Sequence, residues 1–144
     1  MPVRLALLAA LPWMLAGCDG YGPPLSSDSF RMRVDGEEVV GRAVLVTDRG
    51  AASLTRLVLT GAGGTLHIQS EALVSPEVGP VAPLIVSYSR PSDLYPYKYR
   101  RGEVRVTGAV GAVVEGDFDL VLRTYDGLLF QFEVRVRGTF RVTR

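Results

Sequence analysis

The chain has 144 residues, 47% of them hydrophobic, and a formal net charge of +1 at pH 7. This length fits one domain with its own core, and the near balance of charge excludes an overall field that would attract nucleic acid. Because Cys18 is the only cysteine, the chain cannot form an internal disulfide, so its core and strand ladders must hold the fold together.

The first 17 residues have the charged, apolar and small-residue order of a secretory signal peptide, which predicts an N-terminal signal-peptide helix. Arg4 precedes an apolar run over residues 5–16, which is shorter than the about 20 residues of a membrane-spanning helix. Residues 15–18, Leu-Ala-Gly-Cys, resemble the lipobox of bacterial lipoprotein precursors. The resemblance implies that residues 1–17 are removed and that Cys18 carries lipid as the first mature residue. The alternative is an uncleaved N-terminal helix or a buried core helix.

Residues 18–28 are predicted to be a flexible tether, because the stretch after Cys18 is rich in Gly, Pro, Ser and Asp. Lipoprotein maturation attaches two or three acyl chains, and stable anchoring needs more than one. The resemblance therefore implies a membrane partner and a place in the bacterial cell envelope. Asp19 resembles the signal that retains lipoproteins in the inner membrane, facing the periplasm. The outer membrane is the alternative.

Residues 29–144 are predicted to form an antiparallel β domain, because apolar residues recur at every second position and no helical period is present. Asp35-Gly36 is typical of a two-residue hairpin turn and sets Val34 opposite Glu37 and Phe30 opposite Gly41. Irregular segments are predicted over residues 71–83 and 90–101. Strands are predicted over residues 29–34, 37–46, 54–60, 65–70, 84–89, 103–107, 113–124, 128–137 and 139–143.

The longest hairpin is predicted to turn at residues 125–127, which sets Leu122 opposite Phe130 and Phe118 opposite Val134. About eight strands with one apolar face predict an all-β fold, either a β-sandwich or a closed β-barrel. An eight-stranded barrel is either filled by side chains or hollow enough for one small ligand, and the pattern leaves both open. The residues predicted to point inward include Leu57, Leu59, Leu66, Ile68, Val104, Val106, Phe140 and Val142.

The predicted β domain also resembles small β-rich envelope lipoproteins of bacteria, a group without an assigned activity. The residues that carry this resemblance are the opening segment 30–36, the segments 102–107 and 114–118, and the closing segment 134–140. The resemblance implies a fold and a location only. The chain departs from the pattern at Val39 and Val40, where an aromatic residue often stands.

Residues with catalytic or ligand-binding chemistry are few. His67 is the only histidine and is predicted to face solvent on a strand, without an assigned nucleophile or carboxylate partner. One histidine and one lipidated cysteine fall short of the three or four ligands of a zinc site, so no metal and no cofactor are predicted. The strongest candidate for binding a partner is the segment Tyr95, Tyr97, Tyr99, Arg100 and Arg101, which alternates tyrosine with basic residues. The alternative is that these rings cover one end of the core.

The sequence favours a non-enzymatic, lipid-anchored envelope protein whose β domain binds a partner protein, a glycan or a small apolar ligand. The second hypothesis is a small-ligand carrier with a hollow barrel. The third is an envelope hydrolase, against which the scarcity of histidine and cysteine argues.

Overall fold

The computed structural model describes residues 25–48, 54–83, 85–125 and 131–144. The predicted signal peptide, Cys18 and the first part of the predicted tether lie outside these residues, as do Phe130 and most of the predicted turn at residues 125–127. Across the described ranges, no helix is long and apolar enough to cross a bilayer.

The described part of the chain consists mainly of β-strands. Its strands are β1 (Ser29–Val34), β2 (Glu37–Asp48), β3 (Leu54–Gly61), β4 (Gly64–Ser70), β5 (Gly79–Val81), β6 (Ile85–Ser89), β7 (Tyr97–Val110), β8 (Val113–Tyr125) and β9 (Gln131–Thr143). A single 3₁₀ turn, η1 (Glu71–Leu73), follows β4. The predicted all-β class is confirmed.

Eight of these strands close into an antiparallel β-barrel. Each strand pairs with the next along the chain, except that β4 pairs with β6, and β9 returns to pair with β1. The short strand β5 pairs with β7 beside the contact between β6 and β7. This closure decides between the two predicted architectures in favour of the barrel. It also places a short strand inside the segment predicted to be irregular, where Pro80 is tolerated because β5 has β7 as its partner on one side only.

The first hairpin has the predicted register. Val34 lies opposite Glu37 and Phe30 opposite Gly41. The turn residues Asp35 and Gly36 have φ values of 48° and 88°, the positive values that a type I′ turn requires at both central positions. Local chemistry therefore suffices to define this hairpin.

The predicted register of the long hairpin is wrong by four residues. Leu122 lies opposite Val134, and Phe118 lies opposite Gly138. The predicted register opposed two acidic residues, Asp119 and Glu133, whereas the observed one places Asp119 opposite Arg137 and Glu133 opposite Arg123. Because the shift is an even number of residues, each side chain keeps its face, and the inward set on β8 is unchanged.

Strand β9 is also held by β1, which the hairpin alone does not reveal. Phe30 lies opposite Phe140, and Met32 lies opposite Gly138. A side chain at Gly138 would overlap the Arg31 carbonyl oxygen, so only glycine allows β1 and β9 to approach at this point. The barrel closure therefore sets the register that the β8–β9 pairing leaves open.

Strand β7 is longer than predicted because it contains a bulge. Tyr99 pairs with Leu122 and Arg101 with Val121, which leaves Arg100 as an extra residue. Before the bulge the odd-numbered residue Tyr97 points inward, and after the bulge the even-numbered residue Val104 does. Unbroken alternation ends at such a change of phase, and the sequence pattern therefore predicts a loop where β7 begins.

The interior of the barrel is filled by side chains. The eight residues named from the sequence as pointing inward are buried, and Leu57, Leu59, Leu120 and Leu122 have no accessible surface. Phe132, which the predicted register sets inward opposite Leu120, is 51% exposed near the start of β9. A side chain that lined a water-sized cavity would retain some accessible surface, so these leucines border no such space. Tyr88 lies in the same core and donates a hydrogen bond from its hydroxyl to the Gly63 carbonyl (3.1 Å) at the β3–β4 turn.

Candidate binding cleft

A cleft of about 290 Å³ opens on the outer surface of the barrel, where β7, β8 and β9 lie side by side. It is built from two neighbouring cross-strand rows. One row is Arg101, Val121 and Arg135, in which an apolar residue separates two arginines. The second row contributes Glu103 and Asp119, and Gly102 completes the lining.

The bulge in β7 determines which side chains face the cleft. Adjacent residues of a regular strand point to opposite faces, but the extra residue places both Arg100 and Arg101 on the outer surface. Arg100 forms an ion pair with Glu133, whereas Arg101 lines the cleft. Gly102 follows with φ +130°, and a side chain there would overlap the Asp119 carbonyl oxygen. The β7 backbone can therefore lie against β8 only because residue 102 is glycine.

Asp119 forms the strongest ion pair of the cleft. Arg135 donates from Nε to Oδ1 (2.9 Å) and from Nη2 to Oδ2 (2.7 Å), the bidentate geometry that a guanidinium allows. Arg137 adds a third contact, with its Nε 3.5 Å from Asp119 Oδ2. The carboxylate thus holds two arginine side chains on β9 in position.

The electrostatic setting keeps Asp119 ionised. The hydrogen bond from Arg135 is the main cause that holds the pKa of its carboxyl below the usual range. The charges of Arg135, Arg137 and Arg101 act in the same direction, and partial burial opposes them. A group that exchanges protons during a reaction needs a pKa near the working pH, so this carboxylate is suited to holding arginines and unsuited to proton transfer.

The β1–β2 turn fixes the backbone of Arg135. The Asp35 backbone NH donates to the Arg135 carbonyl (3.0 Å), and the Arg135 backbone NH donates to Asp35 Oδ1 (2.9 Å). Asp35 therefore has two roles, since it also supplies a positive φ to the turn. The cleft is positioned by three strands and by this turn.

Arg101 differs from the other cationic side chains of the cleft. Within the described part of the chain its guanidinium forms no hydrogen bond and no ion pair, and it acts on Asp119 only through its charge. Five N–H donors at the edge of a cleft are available to a planar anionic group. The arrangement is therefore able to bind a carboxylate or a phosphate.

Replacing Asp119 by asparagine is expected to remove an acid-sensitive part of the stability. Folding lowers the pKa of this carboxyl from about 3.9 in an unfolded chain. Its contribution is therefore complete above that value and is lost as the pH falls through the lower folded-state pKa. At neutral pH the loss is expected to be about 1 kcal/mol or less, because the pair is partly exposed.

Urea unfolding midpoints measured between about pH 6 and about pH 2 test this expectation. The midpoint of Asp119→Asn should fall less steeply than that of the parent protein. Asp117→Asn is the matched control, because Asp117 lies on the same strand and face and forms no ion pair in the described ranges. Equal slopes for all three proteins would contradict the stabilising role of the ion pair between Asp119 and Arg135.

The five residues of the predicted binding segment do not form one surface. Tyr97 is buried in the core, where its hydroxyl accepts a hydrogen bond from Arg90 Nη2 (3.0 Å) and its ring lies 5.4 Å from the Arg90 guanidinium carbon. Tyr95 is exposed in the connection before β7. Tyr99 is exposed and donates from its hydroxyl to the Gly102 carbonyl (3.1 Å). Tyr99 and Arg101 are therefore the members of the segment that reach the cleft region.

His67 lies on the outer face of β4, between Val58 of β3 and Ser87 of β6. It is half-buried, and this burial, together with the charge of Arg56, lowers the pKa of its imidazole below the ordinary value. Among the described residues, no group of three or more histidine, cysteine or acidic side chains is close enough to hold a metal ion.

The sequence does not predict Asp119 and Arg135 as parts of a site. In the predicted register Arg135 lies opposite Asp117, whereas in the structure it lies opposite Val121 and reaches Asp119 in the neighbouring row. Asp35-Gly36 predicts a turn from its backbone preference alone, and the contact of the Asp35 carboxylate with Arg135 follows only from the fold. The cleft can be predicted only when both the β7 bulge and the β8–β9 register, which barrel closure sets, are known.

The fold and the cleft define a small closed antiparallel β-barrel with a packed interior and an arginine-lined cleft on its outer surface. No protein-family model, curated protein or solved structure matches this chain. The assignment of function therefore rests on the residues of the chain itself.

Proposed function

We propose that this protein is a lipid-anchored binding protein of the bacterial cell envelope. In this proposal residues 1–17 are removed, Cys18 carries the lipid, and the barrel binds a carboxylate- or phosphate-bearing partner without chemical conversion. The observation that carries the binding role is Arg101, whose guanidinium faces the cleft without an ion-pair partner in the described part of the chain.

The charges around the cleft support an anionic partner. Arg135 and Arg137 already compensate Asp119, so the charge of Arg101 is left for a ligand. Guanidinium groups recognise carboxylates and phosphates through two parallel N–H donors. Acidic side chains of an envelope protein and acidic groups of a glycan both offer this chemistry.

Two observations favour binding at the outer surface over the other hypotheses. The fully buried leucines of the barrel favour a surface site over the transport of an apolar ligand inside. The lowered pKa of Asp119 favours a holding role for the carboxylate over a role in hydrolysis. The inner-membrane location favoured by Asp19 remains part of the proposal.

The anchor is tested by replacing Cys18 with serine. Cells fed radiolabelled palmitate are expected to label the parent protein and to hold it in the membrane fraction. The variant Cys18→Ser is expected to lose the label and the membrane attachment, because no thiol is left to accept lipid. Ser27→Ala is the control and should behave as the parent does. A parent protein without label in the soluble fraction would overturn the anchor.

The cleft is tested by replacing Arg101 with alanine. Nuclear magnetic resonance titrations with inorganic phosphate and with acetate are expected to shift backbone signals of residues 101–103, 119 and 135. Loss of one charged hydrogen-bond donor is expected to weaken binding by about tenfold or more. Arg42→Ala removes another exposed arginine without a described ion pair, on β2 and outside the cleft, and should leave the affinity unchanged. Equal affinities for both variants would overturn the assignment of the cleft.

A further inference from the structure

The hairpin that joins β7 to β8 ends in an exposed apolar tip, residues 110–112. Val110 is 82% exposed, and the residues from Val106 to Val114 include no charged side chain. Gly111 has φ +59°, and a side chain built there would have open space around it. The tip therefore extends beyond the barrel as an uncharged loop.

The tip lies at the end of the barrel where the chain enters from the predicted tether. The Thr143 backbone NH donates to Asp28 Oδ1 (2.7 Å), and Thr143 lies opposite Val113 in the first row of the β8–β9 ladder. Arg144 donates from its backbone NH to the Ala112 carbonyl (2.7 Å) and from Nη2 to the Gly111 carbonyl (2.8 Å). A continuous set of contacts thus joins the residue before β1 to the tip.

A second exposed apolar side chain lies at the same end. Val78 is 68% exposed and directly precedes β5, whose first residue, Gly79, pairs with Val106. Because β5 is antiparallel to β7, Val78 lies toward the tip. Glu77 precedes Val78 along the chain, and Arg144 lies against the tip through its hydrogen bonds to Gly111 and Ala112.

We propose that this end of the barrel rests on the lipid bilayer, with the apolar tip inserted at the headgroup boundary. The inference rests on the proposed lipid anchor at Cys18. The ten residues that lead from Cys18 to Asp28 span at most about 36 Å when fully extended. Attachment over so short a distance keeps the local concentration of the tip at the membrane high, so contacts too weak to bind alone become effective. The Arg144 guanidinium adds attraction to anionic headgroups.

This orientation directs the cleft away from the membrane. Strand β1 begins at the membrane end with Ser29 and ends with Val34, next to Asp35. Asp35 holds Arg135 at the opposite end of that strand. A partner in the aqueous envelope space is therefore able to reach the cleft while the tip is on the lipid.

The test uses the full chain with a single additional cysteine, either Val110→Cys or Leu94→Cys. Leu94 is 91% exposed and precedes the start of β7 at Tyr97, whereas Val110 ends that strand, so the two positions lie at opposite ends of the barrel. Each variant is labelled with palmitate in cells, purified and placed in vesicles of phosphatidylethanolamine and phosphatidylglycerol. Reaction with a membrane-impermeant maleimide is then compared in vesicles and in detergent. A lipidated Cys18 has no free thiol, so only the introduced cysteine reacts.

The expected result is a reaction rate for Val110→Cys that is several-fold lower in vesicles than in detergent, with no change for Leu94→Cys. If both variants carry palmitate and react equally in the two settings, the membrane contact is overturned while the anchor stands. If neither variant carries palmitate, the anchor and the membrane contact are overturned together.

Discussion

Replacing Phe118 by alanine is expected to lower the free energy of unfolding by about 3–5 kcal/mol. Phe118 is 1% exposed, lies in the middle of β8 and pairs with Val104 on one side and Gly138 on the other. Closed strand pairing around the barrel limits how far neighbouring residues can move into the vacated space. Since small domains are stable by only about 5–15 kcal/mol, this loss is a large fraction of the total.

Phe132→Ala is the matched control for this effect. It removes the same side chain from the adjacent strand β9, but Phe132 is 51% exposed, so we expect a loss of about 1 kcal/mol or less. Urea unfolding followed by far-ultraviolet circular dichroism measures both, because the only tryptophan, Trp13, lies in the predicted signal peptide. Similar losses for Phe118→Ala and Phe132→Ala would contradict the packing of the barrel core.

Replacing Gly102 by alanine is the second substitution for which we expect a large effect. At φ +130° a side chain is strained, and its Cβ would overlap the Asp119 carbonyl oxygen. Strain of about 1–3 kcal/mol and a similar steric cost together predict a loss of about 2–6 kcal/mol. The displaced β7 backbone is also expected to move Arg101 and thereby weaken the binding of phosphate to the cleft.

Gly108→Ala separates this effect from the general cost of substituting a glycine in β7. A Cβ at Gly108 would meet the Glu115 side chain at 3.4 Å, an ordinary contact distance, and the backbone there is not in the positive-φ range. Its unfolding midpoint and its affinity for phosphate are expected to stay close to those of the parent. A Gly102→Ala protein with the stability of Gly108→Ala would show that β7 and β8 are not in close contact at the bulge.

The sequence by itself determined the strand content, the inward faces and the first hairpin. Period-two alternation identifies the buried residues of β3, β4 and β8 because successive side chains of a strand point to opposite faces. Asp35-Gly36 defines its turn because both residues accept positive φ, and this property is local. The lipobox-like residues that end at Cys18 are likewise local and predict an anchor without reference to the fold.

Only the tertiary structure decided the barrel closure, the register of β8 with β9 and the cleft. Several registers of a hairpin keep the same inward set, and pairing of β9 with β1 at Gly138 selects among them. The β7 bulge interrupts alternation, so counting forward from the inward Tyr97 would place Arg101 inside the barrel, whereas it lies on the outer surface. Cross-strand neighbours such as Asp119 and Arg135 depend on pairings between distant parts of the chain, which a local pattern does not encode.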